Sequence, residues 1–285
     1  MTFSQVYLNG KERLTQAGIE SPAFDAICLF EASFGLNRQA LAIHGEETAP
    51  NDAIVTFNEQ IRQRCARRPL QYILGQWPFL DLTLEVGEGV LIPREDTEVL
   101  VRTADELLRG RGRSEILDLC AGSGAVGLGI ASLLPDAEVT CVEFSDTAFS
   151  FLERNIRRNS ELATAKAVRA DVLQKPDLTV FRPADAILSN PPYVVSGEID
   201  MLQEEVRKEP REALDGGPDG LLFYRAIVSH WTVLLKPGGL IALEVGEGQA
   251  KEVAALLESA GMENIGFRQD FNGIDRVVFG TAKRN

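Results

Sequence analysis

The spacing of apolar residues along this 285-residue chain changes from one stretch to the next, and each change marks a structural boundary. From Phe3 to about Leu74 they recur at helical intervals, as at Ala26, Leu29, Phe30 and Phe34. Turn-forming breaks near Ser21-Pro22, Phe34-Gly35 and Ala49-Pro50 divide the stretch, which predicts a small bundle of about four helices. From Phe79 the period drops to two, with Leu80, Leu82, Leu84 and Val86 in alternation. Gly87-Glu88-Gly89 and a second run, Val90-Leu91-Ile92, follow, and together they predict a β-hairpin joining two domains. Pro93-Arg94-Glu95-Asp96 then opens an amphipathic helix, with acids where the helix dipole favours them, and the Arg/Gly alternation of 109–113 ends it.

Beyond Glu115, strands near 115–120, 138–143, 166–170, 184–189 and 240–245 alternate with helices near 125–134, 146–159, 219–235 and 248–260. That alternation predicts an α/β fold with a parallel sheet covered on both faces. The final runs, Ile265 to Gln269 and Arg276 to Phe279, flank Asn272-Gly273, a hairpin signal, so an antiparallel pair should close the sheet.

Composition narrows the function classes. An apolar content of 45% supplies ample core, no apolar run approaches the roughly 20 residues that span a bilayer, and the first ten residues lack a secretion-signal pattern, so a cytoplasmic protein without membrane contact is expected. Cys28, Cys65, Cys120 and Cys141 are scattered without metal-ligand spacing, and His44 and His230 are the only histidines, so reduced thiols and no metal site are expected. The net charge of −13 disfavours duplex nucleic acid as a partner. Residues 1–75 hold 7 basic and 8 acidic side chains, so nearly all the acidic excess lies in the remainder. Arg62, Arg64, Arg67 and Arg68 form a local basic cluster, read as a solvated helix face or a contact for a partner or RNA. The acidic segment 198–212 reads equally as a solvated loop or as a face for a basic protein.

Three stretches carry chemistry, each at the end of an expected strand. Asp118-Leu119-Cys120-Ala121-Gly122-Ser123-Gly124 leads into a helix, where glycines permit close approach of a ligand and the helix start offers free N–H groups. With Gly127 it matches the dinucleotide glycine fingerprint, and Glu143 stands where an acid would hold ribose hydroxyls. S-adenosylmethionine demands the same glycines and the same acid, so this signal does not choose between cofactors. Asp171 either meets an adenine amine or satisfies its own loop, and Asp118 reads as a cap on the glycine loop. The third stretch is Asn190-Pro191-Pro192-Tyr193. Asn190 brings an amide carbonyl, Pro191 a backbone carbonyl with no competing N–H, and Tyr193 a flat amphipathic wall, a set suited to a planar NH2 group.

In this order the glycine loop, Glu143 and Asn190 to Tyr193 resemble the amino-group methyltransferases that use S-adenosylmethionine. Within that group the chain is similar to the release factor glutamine methyltransferases of the HemK/PrmC type. Pro69 to Gly75, Val90-Leu91-Ile92-Pro93-Arg94 and Glu209 to Gly217 carry the closer match, which is weakest over residues 1–60. The resemblance implies a class I, Rossmann-like fold with a seven-stranded sheet. Residues 1–75 would form a helical substrate-recognition domain, 76–94 a β-hairpin linker and 95–285 the methyltransferase domain. The implied reaction methylates the Gly-Gly-Gln glutamine of class 1 peptide chain release factors and releases S-adenosylhomocysteine, from a monomer. Implied cofactor contacts are Cys120, Ala121, Gly122, Ser123, Gly124, Glu143, Val172 and Asn190, alongside Asp171; implied substrate and catalytic contacts are Asn190, Pro191, Pro192 and Tyr193. Cys120 replaces the family's usual glycine, and Val172 an aromatic that some members place against adenine. A ribosomal protein glutamine and an adenine in DNA are the alternative acceptors, since both present a planar amine. A nicotinamide-dependent oxidoreductase and a non-catalytic binding module for translation factors stand further off.

Overall fold

A computed structural model describes residues 1–284. The chain divides into two compact units: residues 1–75 with Gln203–Lys208, and Gln76–Leu202 with Glu209 onward.

The first unit is helical: α1 (Phe3–Gln16), α2 (Pro22–Phe34), α3 (Arg38–His44), α4 (Asn51–Cys65) and the short α5 (Leu70–Leu74). Thr2 and Gln5 form a reciprocal capping box at the start of α1, and Asn37 caps α3 through two backbone N–H groups. Edge-on contacts among Phe3, Phe30 and Phe57 fill the centre. Gly10 lets α1 approach α4, because a Cβ there would stand 2.5 Å from the Phe57 ring. The expected basic face is not a face at all. Arg62 is exposed and paired with Glu59, but Arg64 is buried, its Nε donating to Asp25 Oδ2 at 2.6 Å and its Nη1 to Glu205 Oε1 at 2.9 Å. Arg67 donates to Glu205 and to the carbonyls of Ala17 and Gly18. The same contacts take Glu205 out of the solvated-loop reading of 198–212, while Glu198, Asp200, Glu204 and Glu212 are exposed.

The second unit begins with a hairpin, β1 (Gln76–Phe79) and β2 (Leu82–Glu85), with Phe79 opposite Leu82. It lies earlier than the sequence pattern placed it. Leu80, counted there as a strand residue, makes the turn at φ 51°, and Val90 to Ile92 form a bend and loop outside the strands. Ile92 N–H donates to Glu209 Oε2 instead. The amphipathic helix, α6 (Thr97–Leu108), starts just after Asp96.

Strands β3 (Glu115–Leu119), β4 (Glu138–Glu143), β5 (Ala165–Arg169), β6 (Ala184–Ser189), β7 (Leu235–Glu244), β8 (Glu263–Gln269) and β9 (Asp275–Thr281) form one seven-stranded sheet. Its order is β5-β4-β3-β6-β7-β9-β8, with β3 to β7 parallel and β9 antiparallel to both neighbours. The expected α/β class with a closing hairpin is therefore observed. Helices α7 (Ala125–Leu133) and α8 (Asp146–Arg158) pack with α6 on one face; α9 (Leu222–Ala226), a wider turn to Trp231, and α10 (Ala250–Ser259) cover the other. After β3 the chain builds outward through β4 and β5, then returns to place β6 on the opposite side of β3. A crevice at the carboxyl ends of β3 and β6 is the consequence of that reversal.

Candidate functional site

Strand register delivers the chemistry-bearing residues to one end of the sheet. Leu119 lies opposite Val142 and Ser189, so Cys120, Glu143 and Asn190 emerge at the same level. Beyond β3 the backbone turns sharply: Cys120 has φ 60°, Gly122 54° and Gly124 87°. A side chain at Gly122 would meet nothing within 4 Å, so its missing Cβ leaves open space for a ligand rather than for protein. Gly127 serves the opposite purpose, since a Cβ there would stand 2.3 Å from Cys141 Sγ. It lets α7 close onto the sheet. Asp118, buried beneath, accepts the Gly127 N–H at 2.8 Å through Oδ2, while Oδ1 has no partner. Burial pushes its carboxyl up to about 8.

Glu143 is organised by backbone. Its Oε1 accepts from Phe144 N at 2.8 Å and Ser145 N at 2.7 Å, and its Oε2 from Gly122 N at 2.8 Å. A carboxylate offers about four acceptor positions, so one remains on Oε2 for a hydroxyl. Burial raises the carboxyl, against the downward pull of those three N–H groups. Asp171 lines the cavity and accepts from Leu173 N at 2.9 Å, as the loop reading expected. Val172 is fixed as a wall because its carbonyl accepts the Trp231 indole N–H at 2.9 Å.

Asn190 follows β6, and its Nδ2 donates to Thr97 Oγ1 at 3.1 Å. With the nitrogen turned to Thr97, the amide carbonyl is left for a ligand. The Tyr193 carbonyl accepts from Gln249 Nε2 at 2.9 Å, while a Cβ at Gly216 would stand 2.7 Å from its backbone and one at Gly246 a tight 3.0 Å from its ring. Two stretches noted in the sequence become one clasp: Glu209, buried, binds Arg94 as well as Ile92 N. That contact gives Val90 to Arg94 and Glu209 to Gly217 a shared structural cause.

Together these elements enclose a cavity of about 480 Å³. Of the residues singled out from sequence, it brings together Cys120, Ala121, Gly122, Ser123, Glu143, Asp171, Val172, Asn190 and Pro192. Gly124, Pro191 and Tyr193 are not among its lining residues. Thr97, Phe144, Glu212, Asp215, Leu222 and Phe223 line it and were not foreseen as site residues, because no local motif announces them. Its charged lining is Glu143, Asp171, Glu212 and Asp215 against Arg94, which is already paired with Glu209. Such a cavity favours a cationic, hydroxyl-bearing molecule and penalises a pyrophosphate.

Comparison with known proteins agrees with this geometry. Residues 5–75 match the family model described as the PrmC N-terminal domain, and residues 95–226 that of the methyltransferase small domain. A release factor glutamine methyltransferase of Geobacter sulfurreducens is 38% identical over 273 residues, covering 94% of this chain and 92% of its own. One from Caulobacter vibrioides is 35% identical, covering 98% and 96%. Among solved structures, a methyltransferase from Pyrococcus furiosus superimposes with a TM-score of 0.52 at 18% identity, covering 72% of this chain and 90% of that one, a likeness of fold.

Proposed function

The chain belongs to the release factor glutamine methyltransferases, and from that premise we propose that its cavity holds S-adenosylmethionine and directs a methyl group to N5 of the Gly-Gly-Gln glutamine of class 1 peptide chain release factors. The observation that carries this reading is the pairing, in one cavity, of an acid-lined glycine floor with the Asn190 amide. The residues fit the cofactor. The remaining lone pair of Glu143 Oε2 suits a ribose hydroxyl, Gly122 admits the ligand closely, Asp171 can accept from the adenine amine, and Val172 and the exposed Phe144 ring offer apolar walls. The surplus of carboxylates suits a ligand carrying sulfonium and ammonium charges, which a dinucleotide lacks. When bound, the cofactor supplies an electrophilic methyl group.

The protein's own work is positional. A glutamine amide nitrogen is a poor nucleophile because its lone pair is delocalised into the carbonyl, and no histidine or lysine lines the cavity. Asn190 Oδ1 and the Pro191 carbonyl accept the two N–H groups of the incoming amide and turn the nitrogen's lone pair inward. Pro191 suits this role because its nitrogen offers no competing donor. Tyr193, fixed by Gln249 and the glycines around it, forms a wall for the amide plane. Orientation of this kind lowers the barrier without a side-chain general base, and the proton that the amide nitrogen sheds on methylation passes to water. The helical unit takes the part of substrate recognition, and such a substrate places the enzyme in the cytoplasm.

Incubating the protein with S-adenosylmethionine and an unmethylated release factor should add one methyl to that glutamine, as read by peptide mass spectrometry. Asn190→Ala should lower the rate about 100-fold or more with cofactor affinity much less affected. Methylation confined to a ribosomal protein glutamine or to adenine would overturn the assigned acceptor.

A further inference from the structure

A glutamine preceded by two glycines gives an enzyme little to grasp, because glycine has no side chain. Contacts that tell one such loop from another must come from substrate residues further along, outside the cavity. The sheet offers a place for them. Asn272-Gly273, the hairpin signal of the sequence, lies in the turn between β8 and β9, and β8 runs parallel to β7 because both are antiparallel to β9. The turn therefore stands at the same end of the sheet as Asn190, which follows Ser189 opposite Leu243.

Phe271, in this turn, is 107% exposed, the most exposed large apolar side chain among the described residues. A single exposed apolar residue is commonplace. Its mounting here is not. Buried Asp270 accepts the N–H groups of Asn272 at 2.8 Å and Ile274 at 3.0 Å through Oδ1, and its own N–H donates to the Ile274 carbonyl at 2.9 Å. Its Oδ2 accepts from Arg276 Nε at 2.9 Å, and Arg276 Nη2 lies 3.2 Å from Asp96 Oδ2. Asp96 precedes Thr97, whose Oγ1 accepts from Asn190 Nδ2. The turn is thus tied to the element that holds Asn190, and none of these bonds uses the Phe271 side chain.

From β6 the sheet passes through β7 and β9 to β8, and adjacent strands stand about 4.8 Å apart, which sets the turn roughly 12–15 Å from Asn190. An extended peptide covers that distance in about four residues. We propose that Phe271 is a specificity-determining residue, a fixed apolar platform for the release-factor segment about three to five residues from the methylated glutamine. The inference rests on the reading of a release factor glutamine as the acceptor. An aromatic ring held out in water gains most when an apolar side chain of that segment covers it. At this remove from the reacting nitrogen the contact is equally strong before and during methyl transfer, so it acts on KM and leaves kcat alone.

The test measures steady-state methylation of an intact release factor by wild type, Phe271→Ala and Phe271→Leu, with cofactor calorimetry and thermal midpoints beside it. Phe271→Ala should raise KM for the factor about 10-fold, with kcat and cofactor affinity unchanged, and Phe271→Leu should restore most of the loss. The thermal midpoint should not move, because the ring is fully exposed. An alanine variant with wild-type KM, or one whose loss falls on kcat, overturns the platform. A second measurement places the photo-reactive p-benzoylphenylalanine at position 271 and maps its cross-links to the factor by mass spectrometry. They should fall within about five residues of the glutamine; cross-links confined elsewhere on the factor, or none, overturn the platform. Wild-type protein that leaves the factor unmethylated overturns the acceptor reading and with it the occupant named here, whereas a methylating wild type with an indifferent Phe271→Ala overturns the platform alone.

Discussion

The acids gathered on Arg64 in the helical unit and the acids beside the cavity in the sheet unit are buried in opposite ways. In the helical unit, Asp25 and Glu205 converge on Arg64, and Arg67 adds a second guanidinium to Glu205. Burial raises the Asp25 carboxyl while Arg64 pulls it back, and Glu205 is held below its ordinary value by the two arginines despite partial burial. In the sheet unit, Asp118, Glu143 and Glu244 are buried without a guanidinium hydrogen-bonded to them. Backbone N–H groups bind Asp118 and Glu143, and oxygens are left over: one on Asp118, one on Glu244, and a lone pair on Glu143. The first arrangement exhausts its hydrogen-bonding capacity and holds a fold. The second keeps capacity in reserve, and it does so beside the cavity.

That contrast breaks most sharply at Arg64. Arg64→Ala strands Asp25 as a buried charge and should cost about 3–5 kcal/mol, read as loss of the helical unit's urea midpoint. Cofactor affinity, measured by calorimetry at low temperature, should stay near wild type. Glu143→Ala reverses the pattern. Cofactor affinity should fall about 100-fold, roughly 2.7 kcal/mol, while stability falls only about 1–3 kcal/mol for the stranded N–H groups of Gly122, Phe144 and Ser145. Equal effects of both variants on binding would erase the distinction between the two kinds of buried acid.

Proton linkage separates the units by a smaller margin. Asp118 is raised from 3.8 to about 8 and Glu244 from 4.5 to about 7, so between those limits the folded sheet unit holds protons the unfolded chain has released. Their contribution is complete below the unfolded values and is lost as pH rises through the folded ones. The thermal midpoint without cofactor should therefore fall from pH 6 to 8.5, and Asp118→Asn, which keeps an acceptor for Gly127 N–H, should flatten that fall. A midpoint that rises over this interval would mean the buried acids are already ionised.

What could be read in the sequence divides along physical lines. Strand and helix periods depend on neighbouring residues, so the sheet from β3 to β9 and the glycine turn were legible. The linker hairpin was misplaced because its turn residue is Leu80, which carries no turn signal and yet adopts φ 51°. The basic cluster was misread because its partners lie 39 and 141 residues away. Thr97 escaped for the same reason: it meets Asn190 across 93 residues and sits in no motif of its own. Contacts of that reach are decided by topology, which only the folded chain displays.

Cys120 allows the comparison to be sharpened within a single turn. Gly122 and Gly124 take positive φ without penalty, but Cys120 does so at 60° with a β-carbon, which costs an L-residue about 1–2 kcal/mol. Its thiol is no compensating nucleophile, because burial and the nearby Glu143 and Asp118 carboxylates push it well above the ordinary thiol range. Cys120→Gly should relieve the strain, and the greater freedom of glycine in the unfolded chain should take back about 0.5–1 kcal/mol. A net gain of at most about 1.5 kcal/mol remains, a thermal shift of a few degrees. Cofactor affinity carries the sharper result. If the strained backbone aims Gly122 N–H at Glu143, glycine should loosen that aim and weaken binding even as the protein becomes more stable. Higher stability with unchanged affinity would show that the turn is held by Gly122, Gly124 and Glu143, with the cysteine merely tolerated.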